Sequence, residues 1–172
     1  MLLEHDELAT AVGQALLARG ARLAVAETTA GGLISARILS IAGASAWFDR
    51  GVVCYGGRSK QETTGVSMDL LREHGSVSPI AVAAMAEGLR AMAGVEYSVA
   101  ESGIAGPLGG RRSPKPVGSV VVAVAGPAGT RTEEHVFPGT RVQVMEKIAA
   151  AALGLLLATI EGRDTTKLPS ET

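Results

Sequence analysis

The chain has 172 residues, 47% of them apolar and 3% aromatic, with a formal net charge of −1. That length suits one compact domain, and the apolar fraction is ample for a core, which excludes global disorder. The balanced charge argues against a nucleic-acid binder, which carries a basic excess or stripe.

Asp6 to Arg19 reads as a helix with Leu8, Val12, Ala15 and Leu16 on one face and Gly20 as its stop. Arg22 to Ala26 reads as a buried strand. The segment Ala26-Glu27-Thr28-Thr29-Ala30-Gly31-Gly32 follows, a strand-to-helix turn holding two hydroxyls, one carboxylate and two glycines. Gly31 to Leu39 is predicted helical, with Thr28 or Thr29 as its cap. After a small-residue loop over 41–45, Arg50 to Tyr55 has strand character, and Gly56-Gly57 ends it before a short helix through Lys60.

Met68 to Glu73 predicts another short helix, closed by His74-Gly75. Ser78-Pro79 marks a helix start, with Val82, Met85, Leu89 and Met92 as its stripe and Gly94 as its stop. Tyr97 to Ala100 reads as a strand running into the turn Ser102-Gly103-Ile104-Ala105-Gly106-Pro107. Leu108 to Pro116 reads as a surface loop. Val117 to Ala125 and Arg131 to Phe137 are predicted as a hairpin across Gly126 to Gly129. Thr140 to Ile160 is the longest helix, with Val144, Ile148, Ala152, Leu155 and Leu156 inward. The pattern predicts a three-layer α/β/α domain over 1–161: a mixed sheet, helices on both faces, and a C-terminal hairpin plus long helix. Residues 162–172 read as a polar, frayed tail.

No apolar run approaches the roughly 18 residues that span a bilayer, and Ala149 to Ile160 reads as a buried helix. The acidic residues Glu4, Asp6 and Glu7 do not fit a signal peptide. A single cysteine, Cys54, excludes an intramolecular disulfide and a cysteine-cluster metal site. His5, His74 and His135 are scattered, so no metal is expected. These features predict a cytoplasmic protein. Trp47-Phe48 is read as core; exposed, the pair would mark a subunit interface, and a homo-oligomer stays open.

Three polar clusters follow predicted strands: Glu27-Thr28-Thr29, Tyr55 with Lys60, and Ser102 with its glycine turn. Ligand sites of open α/β sheets collect at the carboxyl ends of strands, so the three are expected to converge. A hydroxyl beside a lysine suggests nucleophilic acyl chemistry, because burial can lower the amine's pKa until it takes the hydroxyl proton. Tyr55 could relay that proton. Backbone N–H groups around Gly31-Gly32 could form an oxyanion hole, an effect worth about 3–4 kcal/mol. Each residue also has a plainer reading: a cap for the threonines, a solvated helix lysine for Lys60, a strand end for Tyr55, a turn for Ser102.

Taken together, these segments resemble the C-terminal domain of the competence/damage-inducible CinA family. The resemblance also rests on residues 41–51, Gly75-Ser76-Val77-Ser78, Lys115-Pro116-Val117-Gly118, and Gly139 with Arg141. Stand-alone members act as nicotinamide-nucleotide amidohydrolases. The resemblance implies hydrolysis of the carboxamide of nicotinamide mononucleotide to nicotinate mononucleotide and ammonia, in pyridine-nucleotide salvage, with no metal or organic cofactor. It implies Thr28 as nucleophile, Lys60 as base and Tyr55 as partner. Glu27, Thr29, Gly31, Gly32, Ser102, Gly103, Ile104, Gly106 and Arg141 are then expected at the small-molecule nucleotide, with neither nucleic acid nor membrane as partner. Against the family pattern, Thr28 replaces serine, Ala30 replaces threonine, and Gly56-Gly57 replaces Ser-Asn. A catalytically silent nucleotide-binding or regulatory paralogue is the alternative.

Overall fold

Side-chain caps set where most of the helices begin. The computed structural model describes residues 6–108 and 113–163. Helix α1 (Glu7–Leu17) opens at Asp6, whose carboxylate accepts from the Ala9 amide and from the Arg37 guanidinium. Helix α2 (Leu33–Leu39) follows the first turn, and α3 (Gly57–Thr64) follows the glycine pair. Helix α4 (Met68–His74) starts at Ser67 and α5 (Pro79–Ala93) at Ser78, each serine accepting from the amide three residues on. Helix α6 (Arg141–Glu161) opens on a reciprocal capping box between Thr140 and Gln143.

The strands are β1 (Leu23–Glu27), β2 (Phe48–Val53), β3 (Tyr97–Gly103), β4 (Ser119–Gly126) and β5 (Gly129–Val136). They form one sheet in the order β2-β1-β3-β4-β5. The β2, β1 and β3 strands run parallel, while β3–β4 and β4–β5 are antiparallel. The mixed sheet and the C-terminal hairpin match the sequence reading. β3 runs past its expected end at Ala100, because β4 pairs with it as far as Gly103↔Val120.

Period-two alternation sorts the two faces by size. Leu23, Val25, Tyr97, Val99, Val120, Val122 and Val124 face α1, α2 and α6. Ala24, Ala26, Ala100, Ala123 and Ala125, with Val121, face the layer that holds α4 and α5. Small residues let α5 lie close to the sheet, and Gly88 lets it lie against the end of α3: a Cβ there would meet Thr64 O at 1.8 Å. Met92, expected on the inward stripe of α5, is exposed instead. It falls in the last turn before Gly94, beyond the contact made by Met85, Ala86 and Leu89. Trp47 and Phe48 are buried, and Trp47 lies over Gly13 of α1, where a Cβ would meet its ring at 2.8 Å. Helix α6 has the length and composition of a membrane span, but half of it is buried, with Val144, Ile148, Ala152, Leu155 and Leu156 in the core. Of the expected polar tail, 164–172 lie outside the described residues, and Gly162 is the left-handed C-cap of α6. Residues 109–112 of the expected surface loop also lie outside them.

Candidate active site

β1 and β3 lie side by side in parallel, so the turns after Glu27 and Gly103 emerge together. Two fully buried carboxylates shape the first of these turns. Glu27 accepts from the amides of Gly32 (2.8 Å), Ile34 (3.0 Å) and Ser35 (2.8 Å) and from the Ser35 hydroxyl (2.6 Å). It thereby satisfies the first amides of α2, where a negative charge is also favoured by the helix dipole. Glu27 is the effective cap of α2. The expected caps, Thr28 and Thr29, face β3 instead.

Thr28 Oγ1 donates to the Glu101 carbonyl at 2.9 Å. Thr29 Oγ1 donates to the Gly103 carbonyl at 3.0 Å and accepts from the Gly103 amide at 2.8 Å. The Thr28 and Ala30 amides donate to Glu101 Oε1 at 2.6 and 2.8 Å. Gly31 and Gly32 carry φ of 66° and 103°, the left-handed region that glycine enters freely. Of the residues expected at the substrate, Glu27, Gly31 and Gly32 do not line the cavity described next. The Gly32 amide is held by Glu27, so it does not serve as an oxyanion donor.

The cavity, of about 460 Å³, opens at the carboxyl ends of the parallel strands. The other expected residues meet in its wall: Thr28, Thr29, Tyr55, Lys60, Ser102, Gly103, Ile104, Gly106 and Arg141. Lys60 projects from α3 and is only 5% exposed. Its amine makes no hydrogen bond among the described residues. Burial pushes its pKa below the ordinary lysine value, opposed by the charges of Cys54, Glu101 and Tyr55. No hydrogen bond joins Lys60 to Thr28, whose hydroxyl proton is directed at β3. Tyr55 is 62% exposed at the rim, and its hydroxyl accepts from Arg141 at 3.3 Å. Arg141 also donates to the Gly106 carbonyl at 2.9 Å, tying the first turn of α6 to the loop after β3.

Among the described residues the cavity wall contains Lys60, Lys115, Arg141 and His74 but no Asp or Glu. Lys115 also reaches Glu134 at 3.4 Å. No group of three or more His, Cys, Asp or Glu among the described residues is placed to hold a metal ion. Cys54 is buried beside this site, and burial raises its thiol to about 11. Sequence reasoning assigned no site role to His74, Ser76, Val77 or Lys115, which line the cavity, nor to Glu101 beneath it. The first four sit in loops or helix ends without periodicity. Glu101 falls just past the expected strand end at Ala100, and its one sequence signal is a carboxylate beside an apolar run.

The chain matches the family model of the CinA C-terminal domain over residues 5–160. It is 44% identical over 154 residues to the nicotinamide-nucleotide amidohydrolase PncC of Escherichia coli K12, covering 89% of this chain and 93% of that protein. It is 46% identical over 153 residues to a CinA-like protein of Syntrophobacter fumaroxidans, where it spans only 36% of the relative's length. Among solved structures, a competence-damaged protein (CinA) superfamily protein from Klebsiella pneumoniae superposes with a TM-score of 0.85 at 32% identity, covering 91% of this chain and 97% of that one. The competence/damage inducible protein CihA from Agrobacterium tumefaciens superposes with a TM-score of 0.85 at 33% identity, covering 92% and 98%.

Proposed function

Because the chain belongs to the CinA C-terminal domain family, we propose that it hydrolyses the carboxamide of nicotinamide mononucleotide. The observation that carries this reading is one cavity shared by a buried, unpaired lysine amine, a threonine hydroxyl and Arg141, without a carboxylate among its described lining residues. Such a wall accepts an anionic ligand and offers a nucleophile and a base beside it. The substrate is taken from the E. coli relative, a nicotinamide-nucleotide amidohydrolase.

In this mechanism Thr28 Oγ1 leaves the Glu101 carbonyl, gives its proton to the neutral Lys60 amine and adds to the carboxamide carbon. The tetrahedral intermediate collapses as the C–N bond breaks, and Lys60 returns the proton to the departing nitrogen, releasing ammonia. A water, deprotonated by Lys60, then attacks the Thr28 ester. Nicotinate mononucleotide leaves and the hydroxyl is restored. The remaining Arg141 donors suit the phosphate, because a guanidinium offers paired hydrogen bonds. Tyr55 positions that guanidinium at the rim.

Ammonia release from nicotinamide mononucleotide tests the reading with the purified chain. Turnover should be lost in Thr28→Ala and Lys60→Ala, and Thr28→Ser should turn over faster because the γ-methyl that restricts χ1 is gone. A wild-type rate no higher than that of Lys60→Ala would refute it. The Thr28 hydroxyl donating to Glu101 O rather than to Lys60 favours a second reading, a silent nucleotide-binding paralogue. That reading expects calorimetric binding without ammonia.

A further inference from the structure

We propose that Glu101 is a positioning residue for Thr28: its buried carboxylate fills the amide nest of the 28–30 turn from inside and holds the nucleophilic hydroxyl in place. The inference deepens the amidohydrolase reading and rests on it for its kinetic part.

Side chains alternate along β3, so position 101 falls on the face that Tyr97 and Val99 share with the large apolar layer. An aliphatic residue would suit that face; a fully buried carboxylate is costly there unless its acceptor capacity is used. Oε1 uses it, accepting from the Thr28 and Ala30 amides. Oε2 has no hydrogen-bond partner among the described residues. The same residue's main-chain carbonyl accepts the Thr28 hydroxyl. One residue thus holds Thr28 by both its backbone and its side chain. Besides it, among the described residues, Thr29 Oγ1 lies within hydrogen-bond distance of the Thr28 hydroxyl, at 3.3 Å.

Successive turn amides pointing at one spot form an anion-binding nest. Here the anion is built in. The Thr28 and Ala30 amides are therefore committed to the scaffold, and a substrate's negative groups are left to Arg141 and the outer cavity wall.

The groups acting on this carboxyl come from each neighbouring element. Glu27 on β1 opposes its ionisation, while Lys60 on α3 and Cys54 after β2 are coupled to it. Arg37 on α2 is turned to Asp6, and Arg141 on α6 to Gly106 and Tyr55. Burial raises the Glu101 carboxyl to about 7 against the pull of the Ala30 and Thr28 amides. Its charge, and with it the grip on the turn, changes in the neutral range.

The test uses the full chain, as wild type, Glu101→Gln and Glu101→Leu. Amide ¹⁵N–¹H shifts are followed from pH 5 to 9, beside kcat and KM on nicotinamide mononucleotide. In wild type the Thr28 and Ala30 amide protons should move downfield together as the carboxylate forms near pH 7. Glu101→Gln keeps an oxygen acceptor and should abolish that titration, lowering kcat about tenfold with KM unchanged. Its acid limb should shift to lower pH, because Lys60 loses a negative neighbour. Glu101→Leu should lose about a hundredfold in kcat. Flat Thr28 and Ala30 shifts in wild type overturn the proposal, as does wild-type kcat with an unshifted pH profile in Glu101→Gln. If Glu101→Leu does not fold, the glutamine variant and the titration decide. If wild type releases no ammonia, the amidohydrolase reading falls, while the amide titration still tests the grip on the turn.

Discussion

Lys60 is placed to act as a base because its surroundings make its charge expensive. Only 5% exposed and without a hydrogen bond among the described residues, its amine is held below the ordinary lysine value by burial. Lys60→Arg should therefore abolish turnover about as fully as Lys60→Ala, since a guanidinium keeps its proton at any working pH. Equal kcat for Lys60→Arg and wild type would remove Lys60 from the proton path. Arg141 makes a contrasting case, because it positions rather than reacts. Arg141→Lys loses the fork that spans Gly106 O and Tyr55 Oη, so KM should rise about tenfold while kcat changes little. At this scale residue type alone named Thr28, Lys60 and Arg141 as candidates, and the fold brings them to one cavity. It left out Glu101, and it did not foresee that Glu27 caps α2. What those carboxylates do depends on amides that reach them only after β1 and β3 lie side by side, or after the chain folds back over Glu27.

Elements with local start signals were legible for the same reason in reverse. Ser78-Pro79 and the Thr140–Gln143 box close within a few residues, so no distant partner is needed to recognise them. Helix α2 is capped from the strand before it, across five to eight residues, and that cap was assigned to the wrong side chains. The pairing of β3 with β4 extended a strand that local pattern ended early. Helix–helix approach was likewise hidden, although it carries a prediction. Gly88→Ala places a methyl group 1.8 Å from Thr64 O, where the end of α3 must yield. It should cost about 3 kcal/mol in urea unfolding, at the upper end of overpacking effects. Because Lys60 rides on α3, kcat should fall in the same variant even where it remains folded. A Gly88→Ala protein with wild-type stability would mean that α3 and α5 are not packed this closely.

For the whole molecule, two buried carboxyl groups pull stability in opposite directions with pH. Burial raises Glu101 from 4.5 to about 7, so its contribution is full below pH 4.5 and is lost as pH rises through about 7. Arg37 lowers Asp6 below 3.8, so that contribution is present above 3.8 and is lost as pH falls through the depressed value. Urea midpoints should thus be highest for these two groups at mildly acidic pH. The unfolding free energy should decline toward pH 7 by up to about 1.4 kcal/mol per pH unit, and Glu101→Gln should flatten that decline. An unchanged slope in the variant would exclude Glu101 as its source. The carboxylate that grips the turn is then also the form that weakens the fold, a trade of stability for activity. The wall of the cavity has a further consequence, for the speed of arrival. With a net charge of −1, the chain as a whole offers an anion no long-range attraction, yet Arg141 meets no carboxylate among the described residues at the cavity mouth. Its field extends only about 10 Å in 0.1 M salt. Capture is therefore a short-range event, decided after the ligand has already reached the rim: added salt should slow kcat/KM modestly and leave kcat alone.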